Sequence, residues 1–285
     1  MFGLLFLAAA VWGFQPVLLK FLLSEWSPVT ITAVRMLFFG AILIAYSYFR
    51  EGKKEWPTLS CWRRLGLLGV FYAVNNIAQF TGLRFTTVTN TTLIAAVGPV
   101  MTAIAAVVFF RERLSLLAWI GVAISLAGTV TVISDGNVQL LAEIGFNIGD
   151  ILCFLAQLAW TGYSLVAIGL LRELSTEAVT GWAAFICAGL TFLYGVFAGE
   201  FAITPLSVLG CGVFVYLVAL GGIMATLIWN QGIKKVGASL SAVFLNIMPV
   251  VGMLSGWLLL GEDIGAAKLC GAGAIFLGVY LTTHS

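Results

Sequence analysis

Charge is what this sequence has least of. Only 9% of its 285 residues are Asp, Glu, Lys or Arg, where a water-facing surface calls for about a quarter. With 61% of residues hydrophobic, there is more apolar surface than one core can hide, so lipid is the expected solvent. The net charge of +2 is too small to point to nucleic acid. The single histidine, His284, stands at the tail, and no Asp or Glu falls in the middle of an apolar run. A proton relay across a membrane normally shows such a group, so facilitated diffusion or exchange is the simpler expectation. Five cysteines (Cys61, Cys153, Cys187, Cys211, Cys270) are odd in number and lack metal-ligand spacing. They read as packing residues, and neither a metal nor a cofactor is expected. An intramembrane enzyme has no visible catalytic set, since HExxH, paired mid-span aspartates and a GxSG turn are all missing. No basic n-region precedes the first apolar run, which is expected to stay as a membrane segment.

What is present is a series of ten apolar stretches of about 16–24 residues, near the length that crosses a bilayer. They run 2–23, 29–49, 65–83, 88–110, 116–133, 148–170, 179–198, 208–231, 238–260 and 268–283. The runs are uniform rather than alternating, so an all-α integral membrane protein is expected, not a β-barrel. If Met1 is cytoplasmic, the inner loops hold Arg50, Lys53, Lys54, Arg63, Arg64, Arg111, Arg113, Arg172, Lys234 and Lys235. That is ten of the fourteen basic residues. Glu25, Asp135, Glu143, Glu200, Glu262 and Asp263 then fall outside. This bias places both termini in the cytoplasm.

The second half also repeats the first. At an offset of 150 residues, Asn75–Ser134 lies over Ala225–His284 without a gap, matching Gly82 to Gly232, Arg84 to Lys234, Pro99 to Pro249, Glu112 to Glu262, Gly121 to Gly271 and Gly128 to Gly278. Five spans per half is an odd number, so the copies have opposite topology. The expected architecture is ten transmembrane helices as two inverted five-helix repeats, residues 1–134 and 148–285, the mark of a transporter whose halves rock around a shared site.

Trp12-Gly13, Arg35, Gly82-Leu83-Arg84, Pro99 and the Arg111-Glu112-Arg113 turn carry a resemblance over essentially the whole chain. So do Gly149-Asp150, Ala159-Trp160 with Tyr163, Gly232, Pro249 and Gly261-Glu262. The sequence resembles the drug/metabolite transporter superfamily, EamA type. The resemblance implies a carrier of the bacterial cytoplasmic membrane. Its substrate would be a small polar organic solute, an amino acid or related metabolite, moved outward. A choline- or amine-like importer and a non-transporting sensor or scaffold are the alternatives. The implied partners are that solute and the lipid bilayer, with a monomer or weak homodimer as the assembly.

Polar side chains in hydrocarbon need partners or a cavity. Span 3 carries Tyr72, Asn75, Asn76 and Gln79 at i, i+3, i+4, i+7; span 6 carries Gln157, Trp160, Thr161 and Ser164 likewise. With Tyr163, Trp12, Gln15, Trp229, Asn230 and Asn246 they form the candidate substrate site, against the plainer reading of Asn and Gln as packing glue. Trp12, Trp160 and Trp229 suit an aromatic wall or a cage for a quaternary amine, or ordinary packing. Trp26, Trp56 and Trp62 suit interface anchors. Arg35, about two turns inside span 2, is expected to play a structural role, although its donor fork also suits a carboxylate or phosphate. Pro99 and Pro249 are expected to be paired hinges.

Overall fold

The computed structural model describes residues 1–52, 56–86, 88–110, 114–134, 136, 137, 139, 147–260 and 264–284. The Arg111-Glu112-Arg113 turn, Gly261-Glu262 and the charges at Lys53, Lys54, Asp135, Glu143 and Asp263 lie outside them. Among the described residues there is helix and no strand. The helices are α1 (Phe2–Leu23), α2 (Pro28–Glu51), α3 (Leu59–Phe85), α4 (Val88–Phe110), α5 (Leu116–Ser134), α6 (Ile148–Leu170) and α7 (Thr176–Phe197). Two composite helices and a last simple one complete the order. α8 (Val208–Val236) contains a π-helical turn, Ala219–Met224. α9 starts as Ala238–Val243, tightens to a 3₁₀ turn at Phe244–Ile247 and continues as Met248–Leu260. α10 is Ala266–Thr283.

Eight of these helical segments are long and apolar enough to cross a membrane. α3 is not among them, because Asn75, Asn76 and Gln79 lower its hydropathy. Phe49, Phe109, Leu116, Phe197 and Leu258 are among many large apolar side chains that face outward, a surface suited to hydrocarbon.

Hydroxyl caps set several helix starts. Ser27, Thr58, Ser175 and Ser207 each accept from a backbone N–H in the first turn of α2, α3, α7 and α8, satisfying a donor that has no helical partner. The Thr58 cap corrects one sequence expectation: α3 begins at Leu59, so Arg63 and Arg64 are helical rather than part of a basic loop. α7 likewise begins at Thr176 instead of 179.

Packing pairs one half of the chain with the other. α2 lies against α7, α3 against α6, and α5 against α10. The α5–α10 contact is tight at two glycine pairs, where a methyl on Gly121 would stand 2.6 Å from the Gly278 carbonyl and one on Gly128 2.6 Å from that of Gly271. Rising numbers on α5 meet falling numbers on α10, so these two helices are antiparallel.

Two clasps of the same kind close opposite ends of the bundle. After α1, Glu25 accepts from the Ser207 amide (2.7 Å) and hydroxyl (2.6 Å) at the start of α8. After α6, Glu173 accepts from Arg64 at 2.8 and 2.6 Å and from the Cys61 thiol at 3.3 Å, at the start of α3. The Ser207 donors hold the Glu25 carboxyl below its usual range, and the Arg64 guanidinium does the same for Glu173. Trp26 belongs to the first clasp. It is buried and its indole donates to the Thr204 carbonyl at 2.9 Å, so it is not the interface anchor its loop position suggests. Trp56 is largely exposed and packs with Trp62 and Trp182 at the opposite end.

The matched prolines differ in setting. Pro99 lies within the continuous helix α4. Pro249 is the second residue of the last segment of α9, directly after the 3₁₀ turn. A proline there has no N–H for the carbonyl four residues back, so the α9 irregularity sits just N-terminal to it.

Candidate functional site

Five aromatic rings from four helices meet where the halves of the chain touch: Trp12 of α1, Tyr72 of α3, Trp160 and Tyr163 of α6, and Trp229 of α8. Trp160 is the hub. It stacks on Tyr163 with centroids 5.1 Å apart and planes 4° from parallel. Trp12 meets it edge-on at 5.6 Å, Trp229 lies at 5.6 Å and Tyr72 at 6.1 Å. Tyr163 and Trp229 are fully buried, and Trp12 and Trp160 partly so. The i, i+3 spacing on α6 puts both of its rings on one face.

Polar groups fix the rings. The Trp12 indole donates to the Gly221 carbonyl in the π-helical turn at 2.8 Å. The Tyr72 and Thr226 hydroxyls lie 3.3 Å apart. Asn230 donates to the Tyr163 hydroxyl at 2.9 Å and to Thr180 at 2.7 Å. Ser164 turns back to the Trp160 carbonyl at 3.0 Å. Asn246 is set apart, in the 3₁₀ turn of α9, where it donates to Ser125 of α5 at 2.9 Å.

The α3 stripe divides in two. Asn75 donates to the Ala156 carbonyl at 2.9 Å, and Gln79 accepts from Gln157 at 3.4 Å. Those three side chains therefore link α3 to α6. Tyr72 and Asn76 turn the other way, toward the rings and toward Arg35.

Arg35 is 4% exposed. Its Nη2 donates to the Asn76 Oδ1 at 2.5 Å, Asn76 donates to the Tyr72 carbonyl at 2.8 Å, and the guanidinium carbon sits 5.5 Å from the Phe80 ring centroid. No described carboxylate pairs with it. Several buried polar atoms have no hydrogen-bond partner among the described residues: Gln15 Oε1, Arg35 Nε, Trp229 Nε1, Asn230 Oδ1 and Asn246 Oδ1. Toward the Glu173 end, a cavity of about 390 Å³ opens between α6 and α8, lined by Ile168, Leu171, Arg172, Ile233, Lys234 and Gly237.

Sequence reasoning placed Thr226 on the polar face of α8 but missed Thr180 and the π-helical turn. The turn does leave a trace. The caps Thr58 and Ser207 are 149 residues apart, while the gapless register that starts at Asn75 and Ala225 is 150. One extra residue enters α8 between them, which is what a π-helical turn absorbs.

A bundle of apolar helices around a buried aromatic and polar centre is the build of a multi-pass membrane protein, and comparison with known proteins gives its family. The profile of the EamA-like transporter family matches residues 1–134 and again 147–284; the chain belongs to that family. It is 25% identical to the uncharacterized transporter YyaM of Bacillus subtilis over 266 residues, 92% of this chain and 86% of that protein. It is 26% identical to the uncharacterized inner membrane transporter YedA of Escherichia coli K12 over 286 residues, covering 99% and 90%. It is 25% identical to an S-adenosylmethionine/S-adenosylhomocysteine transporter of Chlamydia muridarum over 291 residues, covering 99% and 88%. A crystal structure of a protein 21% identical in sequence has the same fold, with a TM-score of 0.82 over 99% of this chain and 95% of that one.

Proposed function

We propose that this transporter is a secondary carrier that moves a small polar organic solute, an amino acid or a related metabolite, out of the cytoplasm by alternating access. The observation that carries the reading is the ring cluster Trp12, Tyr72, Trp160, Tyr163 and Trp229 with unpartnered polar atoms at its edges. Rings offer an apolar body to the solute and the polar atoms fix its orientation, the usual division of labour in a binding site. The antiparallel glycine contact between α5 and α10 supports ten spans arranged as two inverted repeats. In that arrangement the Glu173 end, with Arg172, Lys234 and Lys235, faces the cytoplasm, and the cavity there is the inner approach to the rings.

Counterflow in proteoliposomes tests this. Vesicles preloaded with a mixture of unlabelled amino acids are expected to accelerate entry of a labelled one, and Trp160→Ala to remove that acceleration while the protein still purifies as a folded species. Native protein that accelerates no amino acid would sink the reading. A methylated organic cation is the second reading, favoured by the same five rings through cation–π attraction and by the name of the Chlamydia relative.

A further inference from the structure

We infer that Arg35 is the anion anchor of the central site, and that the solute therefore carries a carboxylate. This rests on the carrier reading above and names the chemistry of its substrate. Arg35 lies in the interior of α2 with its charge uncompensated among the described residues. Glu25 is committed to Ser207, Glu173 to Arg64, Glu177 to Arg50, and Asp150 to Thr86 and the start of α6. A guanidinium serving only to tie helices together would be expected to meet a carboxylate or several carbonyls. Among the described residues this one has a single neutral acceptor.

The surroundings hold that acceptor and the ion in fixed poses. Asn76 gives its amide hydrogens to the Tyr72 carbonyl, so its oxygen is the atom turned to Arg35. Phe80 lies beneath the guanidinium. What is left includes the buried Nε, a donor without a partner among the described residues, on a group whose planar fork matches a carboxylate. Tyr72 connects this point to the rings: its carbonyl fixes Asn76 and its ring packs on Tyr163 at 5.0 Å. The other open atoms complement a zwitterion. Trp229 Nε1 is a second donor, and Gln15 Oε1 and Asn230 Oδ1 are acceptors suited to an ammonium group.

The test uses ligands that differ only at the anionic group. L-phenylalanine, L-phenylalaninamide, phenethylamine and 3-phenylpropanoate are titrated into the purified full-length protein, with binding read by calorimetry and by thermal shift. Native protein is expected to bind L-phenylalanine at least tenfold more tightly than the amide or the amine, with 3-phenylpropanoate between them. In Arg35→Gln that tenfold preference should collapse to about one; in Arg35→Lys, which keeps the charge but loses the fork, it should shrink but persist. Equal binding of acid and amide by native protein overturns the proposal without any variant, so a misfolded Arg35→Gln cannot protect it. An undiminished preference in a folded Arg35→Gln overturns it too, while leaving the carrier reading intact. If none of the four binds and choline, which has no carboxylate, does, the amino-acid reading fails and this inference falls with it.

Discussion

The glycine seam between α5 and α10 gives a prediction whose size can be worked from the coordinates. A methyl at Gly128 would stand 2.6 Å from the Gly271 carbonyl oxygen and 2.8 Å from the Ile275 nitrogen; one at Gly271 would stand 2.8 Å from the Gly128 oxygen and 2.8 Å from Val132 Cγ2. Those separations are roughly 0.7–0.9 Å inside the ~3.5 Å where ordinary non-bonded contact begins. The opposing atoms are mostly backbone held in helices, so the helices themselves must part. Overpacking of this kind costs about 1–3 kcal/mol, and at about 2–4 °C per kcal/mol Gly128→Ala should lower the melting temperature in detergent by roughly 2–12 °C. Gly273→Ala is the internal control. Two residues away on α10, its methyl meets nothing within 4 Å, and alanine in a helix interior is favoured over glycine by roughly 0.5–1 kcal/mol, so its melting point should hold or rise. The double variant Gly128→Ala/Gly271→Ala should lose less than the sum of the single losses, by about 0.5 kcal/mol or more, because the first methyl already separates the helices. Equal melting points for Gly128→Ala and Gly273→Ala would refute the reasoning.

Three further outcomes are expected. Gln79→Ala should lower thermal stability by about 0.6 kcal/mol with transport per folded molecule kept, whereas Trp160→Ala should lose transport first; the reverse order would mean that the α3–α6 link touches the solute. Because the folded-state carboxyls of Glu25 and Glu173 titrate below the ordinary value of 4.5, their contribution is full above that value and is lost as pH falls through the lowered one. Melting temperature should therefore fall more steeply below about pH 4.5 in the native protein than in Glu25→Gln/Glu173→Gln, and parallel curves would exclude the clasps as the cause. In a background lacking the exposed Cys211 and Cys270 and the three buried cysteines, a cysteine at Glu200 should react with an impermeant thiol reagent in intact cells, while one at Lys53 or Lys234 should not; labelling at Lys53 would reverse the topology.

The helices were legible because a bilayer demands long uniform apolar runs, and each of the ten stretches begins within one residue or ends within two of a described helix despite its polar ends. Where the reading slipped, charge was the reason. Arg63 and Arg64 look like loop, and only the Thr58 cap shows that they start α3. Tertiary partners were less accessible. The spacing of Tyr72, Asn75, Asn76 and Gln79 defines one broad face, but that face spans two neighbours, and the sequence cannot say that Asn75 meets Ala156 while Asn76 meets Arg35. Trp26 looks like an interface residue until Thr204, 178 positions away, is seen to accept from it. Trp12 and Trp160 were readable as deep residues; their edge-on contact was not.

The π-helical turn Ala219–Met224 has a consequence for the symmetry of the centre beside it. One residue added to a helix rotates everything before it by about 100° relative to everything after. The first part of α8, where Tyr216 donates to the Val11 carbonyl at 2.8 Å, is thus dialled round from the phase that α3 keeps through the same stretch. α3 and α8 differ at this turn, and it borders the rings, since Gly221 within it accepts from the Trp12 indole. A solute with a head and a tail has no two-fold axis of its own. A site lined alike by α3 and α8 would offer such a solute two equivalent orientations; the extra residue in α8 makes the two linings differ.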